Sequence, residues 1–493
     1  MKKVLFLLLL ISFCLSTSAE LTFTEEIDIS SLSSPLTISV PGLYHIFMSE
    51  KPKYQIEITV QTKEATLVLD NIYILNTEAG KIPLNIKSGD VTIVMEGSSF
   101  IGLREPIMGS QCCPAIRVAG DATLTFDNLY EKEDVIIASE SLEVIRAIQE
   151  EDVGDQNGVA IGGAFGDEIT GSITFNAGTV IARGERGCGA IGTCNPAGSV
   201  SPITINGKET VVKAYSGLNW PGATIGPAKG GIFDSITIND GRVEAYGEDV
   251  GAAIGYGRDS SDKENEGKIT INGGTVIASN NKGPAIGFGT VTDYGDGIPM
   301  IEINGGNVTA FSKEYSAIFA YKKGKVRING GTITADNKNS DFDAIGSYKH
   351  SVANPVIISG GSIKVGKADI REPFYERGDL YVPSLISKIP DAMAPVTSIF
   401  AAGDGEVTFT ANTRDIEHFS YSYTGEGHEG DDSLYFYLPG GNYTVTGTNG
   451  KTYAGEAGGT FTLVPEPAMF GLLAIVALER GPKEHAFGFF LFW

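Results

Sequence analysis

The side chains best suited to chemistry in this 493-residue chain are its carboxylates, several of which are closely spaced. Asp259, Asp262, Glu264 and Glu266 share one short segment, Asp293 and Asp296 share another, and Asp167 with Glu168 and Asp234 with Asp240 form smaller groups. Oxygen-rich segments of this kind suit calcium, which takes roughly six to eight oxygen ligands. Asp259, Asp262, Glu264, Asp293 and Asp296 are therefore the candidate metal ligands and calcium the candidate ion, although none of them falls in an EF-hand pattern, and a solvated acidic surface in predicted turns is the ordinary alternative. Carboxylates paired roughly 5 to 9.5 Å apart would instead serve a glycosidase, and acidic ligands beside a basic residue would serve a polysaccharide lyase.

Other catalytic patterns are missing. The histidines are His45, His350, His418, His428 and His485, with no H-E-x-x-H spacing, and no G-x-S-x-G elbow occurs. Cys188 and Cys194 lack the paired spacing of a structural zinc site. In an exported chain they are a disulfide candidate closing a small loop, with plain thiols as the alternative. Aromatic residues recur beside turns, and Trp220, Tyr246, Tyr256, Phe288 and Tyr294 are candidates for stacking on sugar rings, with Tyr215 nearby. Corner packing is the competing role for each ring.

A repeat supplies the elements that must position these groups. SITFNAGTVIA at 172–182 recurs as PITINGKETVVKA at 202–214, SITINDGRVEA at 235–245, KITINGGTVIA at 268–278, MIEINGGNVTA at 300–310, KVRINGGTITA at 325–335 and PVIISGGSIKV at 355–365. The polar residue before each turn falls at Asn176, Asn206, Asn239, Asn272, Asn304, Asn329 and Ser359, in steps of 30, 33, 33, 32, 25 and 30. A second phrase, Ala-Ile-Gly or a close variant, keeps nearly the same period at Ile161, Ile191, Ile225, Ile254, Ile286, Ile318 and Ile345.

Within Ile-Thr-Ile-Asn-Gly-Gly the isoleucines share one face and the polar residues the other, the period of a half-buried strand. One such unit cannot bury its apolar row alone. Units stacked about 4.8 Å apart can, by turning equivalent isoleucines, valines and alanines into internal ladders. The expected fold is all-β: a right-handed parallel β-helix, or solenoid, with a small C-terminal β-sandwich-like domain. A propeller fits less well because its blades have longer strands and a longer period.

The expected boundaries are a signal peptide at 1–19, a β-helix with N-terminal cap at 20–367 whose clean repeats span 158–365, a linker at 368–395, a small all-β domain at 396–463 and an apolar tail at 464–493. Two lysines followed by VLFLLLLISF and a small-residue stretch have the layout of a secretory signal, so the protein is expected to be exported, at the cell surface or extracellular. A formal charge of -23 argues against nucleic acid as a partner.

The INGGTVxA phrase with its Gly-Ala-Ile-Gly partner resembles bacterial cell-surface β-helix proteins described as containing a carbohydrate-binding domain. The LDN and SGDVTI phrases before residue 130 and LYFYLPGGNYTVTG near the end look like the same group. The resemblance implies a surface protein touching extracellular polysaccharide and implies no turnover. Val464-Pro465-Glu466-Pro467 followed by AMFGLLAIVAL resembles the PEP-CTERM sorting signal of Gram-negative exporters, in a degenerate form whose 11-residue apolar run is short for a membrane span. It implies transient membrane association through the terminal segments. The functional expectation is a non-enzymatic polysaccharide-binding protein; a purely structural or adhesive protein, and a lyase or glycosidase, are the alternatives.

Overall fold

In the computed structural model the described residues are 23–346, apart from 52–54, 79, 104–112, 129–140, 147–157, 185–187, 195–197, 217–221, 259–266, 290–299, 321–323 and 338–343, together with separate strands and bridging residues between 356 and 464. The signal-like residues 1–19, most of the 368–395 linker and the tail beyond Val464 lie outside them.

The chain winds as a right-handed parallel β-helix in which each repeat is one coil. The Ile-x-Ile strands stack in parallel and in register, with Ile173, Ile203, Ile236, Ile269, Ile301, Val326 and Val356 forming one row. Phe175, Ile205, Ile238, Ile271, Ile303, Ile328 and Ile358 form the next. After the turn, the second strands stack Val180, Val212, Val243, Val276, Val308, Ile333 and Ile363 above one another, and beside them a row of alanines from Ala182 to Ala335. Apart from Val356 and Ile358, whose side chains are outside the described ones, these inward rows are almost completely shielded from water. Burial of each isoleucine or valine contributes about 1.5–3 kcal/mol, so the stack supplies the core that a single coil lacks.

The turn between the two strands has its own ladder. Asn206 Nδ2 donates to Asn176 Oδ1 at 2.9 Å, and the same bond links Asn239 to Asn206, Asn272 to Asn239, Asn304 to Asn272 and Asn329 to Asn304 at 2.7–2.8 Å. At the lower end Asn176 donates to the Asp127 carboxylate at 2.8 Å. The recurring asparagine therefore bonds along the stack as well as starting each turn.

The Ile–Gly dyads form a third ladder running from Ile161 to Ile345. Glycine is required there for a steric reason. Gly287 has φ +127°, and a Cβ on it would lie 1.9 Å from the Phe319 carbonyl oxygen of the next coil. Phe319 is the exception in the row, and it lies outside the left-handed region in which its glycine equivalents sit.

Coils continue below the clean repeats. The long strands Ile58–Asp70 and Leu84–Glu96 pair along most of their length with two compensating register shifts on either side of Gln61, and Leu36–Ile38 and Gly42–Phe47 pair with Ile58–Asp70 in parallel. Glu25–Asp28 adds a further parallel strand. The N-terminal segment from Glu25 is thus itself wound into the stack. Beyond residue 400 the strands Val407–Thr413, Ser420–Gly425, Asn442–Gly447, Thr452–Glu456 and Thr462–Leu463 form a five-stranded antiparallel sheet.

Candidate functional site

The second strands expose a wall on which aromatic and charged side chains line up. Because Val243 and Ala245 face the core, the alternation sends Arg242, Glu244 and Tyr246 to the outer face. Register then stacks Arg183, Tyr215, Tyr246, Ser279, Phe311 and Asp336 as one outer row. The Arg183 guanidinium lies over the Tyr215 ring, 4.2 Å from its centroid. Tyr215 stacks on Tyr246 with centroids 5.2 Å apart and planes 14° from parallel. The next position is Ser279, which places no ring there, and the position after it is Phe311.

The adjoining rows carry polar groups. Arg242 Nε donates to Glu244 Oε1 at 2.6 Å, and the Tyr246 hydroxyl donates to Glu244 Oε2 at 3.3 Å. Glu244 is only 7% exposed, so its charge is held by these two donors. Partial burial, and after it the Glu244 carboxylate, raise the pKa of the Tyr246 hydroxyl above the ordinary tyrosine value and keep it a donor at neutral pH. Lys213 lies beside Glu244 in the same row. The wall thus combines ring faces with oriented donors and one acceptor, the equipment for holding a polyhydroxylated ring.

Of the five aromatic candidates, the structure places Tyr246 on this wall and two others inside the solenoid. Tyr256 is 0% exposed and Phe288 7% exposed. Phe233, Tyr256 and Phe288 form an internal stack with centroids 4.2 and 4.1 Å apart. Burial raises the Tyr256 pKa strongly. A sugar cannot reach either ring, and the expectation for Tyr256 and Phe288 is corrected: they pack the core. Trp220 and Tyr294 lie outside the described residues, as do Asp259, Asp262, Glu264, Asp293 and Asp296.

Cys188 and Cys194 are buried thiols in this structure. Each is turned to a backbone acceptor, Cys188 Sγ lying 3.9 Å from the Cys194 carbonyl oxygen and Cys194 Sγ 3.5 Å from that of Gly163. Asp167, a carboxylate considered for catalysis, accepts two bonds from Arg117 at 2.9 and 2.6 Å and one from the Ala164 N–H at 2.8 Å. Asp234 and Asp240 flank opposite ends of the strand Ser235–Ile238. That strand spans about 13 Å, more than a glycosidase pair leaves between its carboxyl groups.

Sequence reasoning missed the participation of Arg183, Glu244 and Phe311, although counting in twos from Val243 and Ala245 gives the outer row. A family model described as a beta helix repeat matches residues 236–255 and 269–287, two successive coils that each run from a ladder isoleucine to the Ile–Gly dyad. No curated protein and no solved structure matches the chain.

Proposed function

We propose that this chain is a non-enzymatic, exported β-helix protein that binds extracellular polysaccharide along the outer wall of its second strands. The observation that carries the reading is the interrupted aromatic row. Tyr246 and Phe311 are two rungs apart, about 9.6 Å, with Ser279 between them. A sugar ring at the Ser279 level would lie about 4.8 Å from each, within the range of stacked rings. Arg183 within the row and Lys213 and Arg242 beside it offer donors for hydroxyl or carboxylate groups, and Glu244 offers an acceptor for hydroxyls. The secretory layout of the first residues and the resemblance to surface β-helix proteins support an extracellular setting.

The test is retention on immobilised neutral and acidic polysaccharides, comparing the wild type with Tyr246→Ala, which removes a ring, and Ser279→Tyr, which fills the gap. Both positions are on the surface, so both variants should fold. The expected result is retention of the wild type and at least a tenfold loss in each variant. No retention of the wild type, or equal retention of all three, would leave a structural or adhesive role; release of new reducing ends would establish the lyase or glycosidase alternative.

A further inference from the structure

We infer that His45, Asp70 and Glu96 form a binding site for a zinc-class divalent cation at the N-terminal end of the solenoid. One ligand atom from each of the three lies within 4.8 Å of the others. They come from three successive coils. Asp70 and Glu96 are register partners at the ends of the strands Ile58–Asp70 and Leu84–Glu96. His45 stands in the neighbouring outer row, opposite Val68, and reaches diagonally so that its Nε2 lies 3.3 Å from Asp70 Oδ2.

The turn after each acid is fixed. Asn71 sits at φ +48° and accepts the Ser98 N–H at 3.1 Å, while its own N–H bonds the Glu96 carbonyl oxygen at 3.0 Å. The Asn71 side chain fills the space a Cβ on Gly97 would need. The two carboxylates are thereby held side by side.

The imidazole is oriented from behind. Its ring stacks between Phe23 and Phe47, with centroids 5.0 and 5.3 Å away, and only 19% of the side chain is exposed. Nδ1 is buried without a hydrogen-bond partner, and Glu26 Oε1 lies 3.8 Å from it. A small rotation of the Glu26 side chain, which is 65% exposed, would let Nδ1–H donate to it and leave the Nε2 lone pair facing Asp70 and Glu96. Carboxylate, histidine and metal in that order is the usual way a protein sets the tautomer of a histidine ligand. Among the described residues no lysine or arginine pairs with Glu26, Asp70 or Glu96. Three carboxylates around one imidazole therefore lack a cation, and a nitrogen ligand among them favours Zn2+ over Ca2+ or Mg2+.

This site uses none of the acidic residues for which calcium was the candidate ion, and a cation in it would fasten three coils together. The full chain, stripped with chelator and dialysed, should take up Zn2+ in competition with a chromophoric chelator, and Co2+ in the same site should give the visible absorption of a histidine–carboxylate set. Glu96→Gln, at an exposed position, and Asp70→Asn should each weaken Zn2+ uptake by at least tenfold. Glu26→Gln, which alters a positioning residue, should weaken it by about 10- to 100-fold. Zn2+ should raise the unfolding temperature of the wild type, while the metal-free Glu96→Gln protein should melt with the metal-free wild type. Uptake that is absent in the wild type, unchanged in Glu96→Gln and Asp70→Asn, or weaker for Zn2+ than for Ca2+ would overturn the assignment.

Discussion

Replacing Tyr256 by alanine would test whether its ring belongs to the core or to a binding surface. The ring is fully buried between Phe233 and Phe288, at 4.2 and 4.1 Å. Removing a buried aromatic side chain costs about 3–5 kcal/mol, because the stacked neighbours cannot collapse into the space. Tyr256→Phe keeps both ring contacts and removes only the hydroxyl that accepts a backbone hydrogen bond from Gly267. The Gly267 N–H loses its partner, at a cost of about 1–3 kcal/mol. Tyr246→Ala, on the partly exposed outer row, removes one donor to Glu244 and a stacking partner of Tyr215 but opens the site to water, and should cost less, about 1–2 kcal/mol. A stack of coils does not unfold as one unit, so the assay is native-state hydrogen exchange on peptides carrying Ile254 and Ile286. Tyr256→Ala should speed exchange there by roughly two to four powers of ten. Exchange within threefold of the wild type, or equal damage from Tyr246→Ala, would refute the assignment of Tyr256 to the core.

Two further outcomes follow from buried and charged groups elsewhere. Asn280 is 1% exposed; its Nδ2 donates to the Gly251 and Pro284 carbonyl oxygens at 2.5 and 3.2 Å, and its Oδ1 accepts the Lys282 and Gly283 N–H groups at 3.1 and 3.2 Å. Asn280→Asp turns two donations into oxygen–oxygen repulsion at a buried charge, and should lower stability by about 3 kcal/mol or more, read as an earlier loss of circular dichroism in urea. Asp28 is held down to a pKa of about 2 from 3.8, by the Ser30 hydroxyl first, then the Ser49 hydroxyl and both backbone N–H groups. Its folded pKa is the lower one, so its contribution is fully present above 3.8 and is lost as pH falls toward 2. The difference in melting temperature between wild type and Asp28→Asn should therefore shrink across that interval, and a difference constant from pH 5 to about 2 would contradict it.

The solenoid was legible because in a parallel stack the sequence period is the contact map: the isoleucines about 30 residues apart are the ones that touch. The same logic, carried one residue further, separates the aromatic rings that proximity to turns had grouped together. Tyr256 and Phe288 lie two positions after Ile254 and Ile286, so alternation turns them inward with those isoleucines. Tyr215, Tyr246 and Phe311 lie one position after Ala214, Ala245 and Ala310, so it turns them outward. Composition near a turn carries no such information, whereas parity does. The His45, Asp70 and Glu96 group was hidden for a different reason. Asp70 follows His45 by 25 residues and precedes Glu96 by 26, in coils whose phrases are too loose to establish a period, and His45 reaches Asp70 diagonally across rows. Only the register of strands Gly42–Phe47, Ile58–Asp70 and Leu84–Glu96 brings the three together. In a repeat of this kind, groups built from one row can be found by period and parity; those built across rows need the register itself, and the cation site is of the second sort.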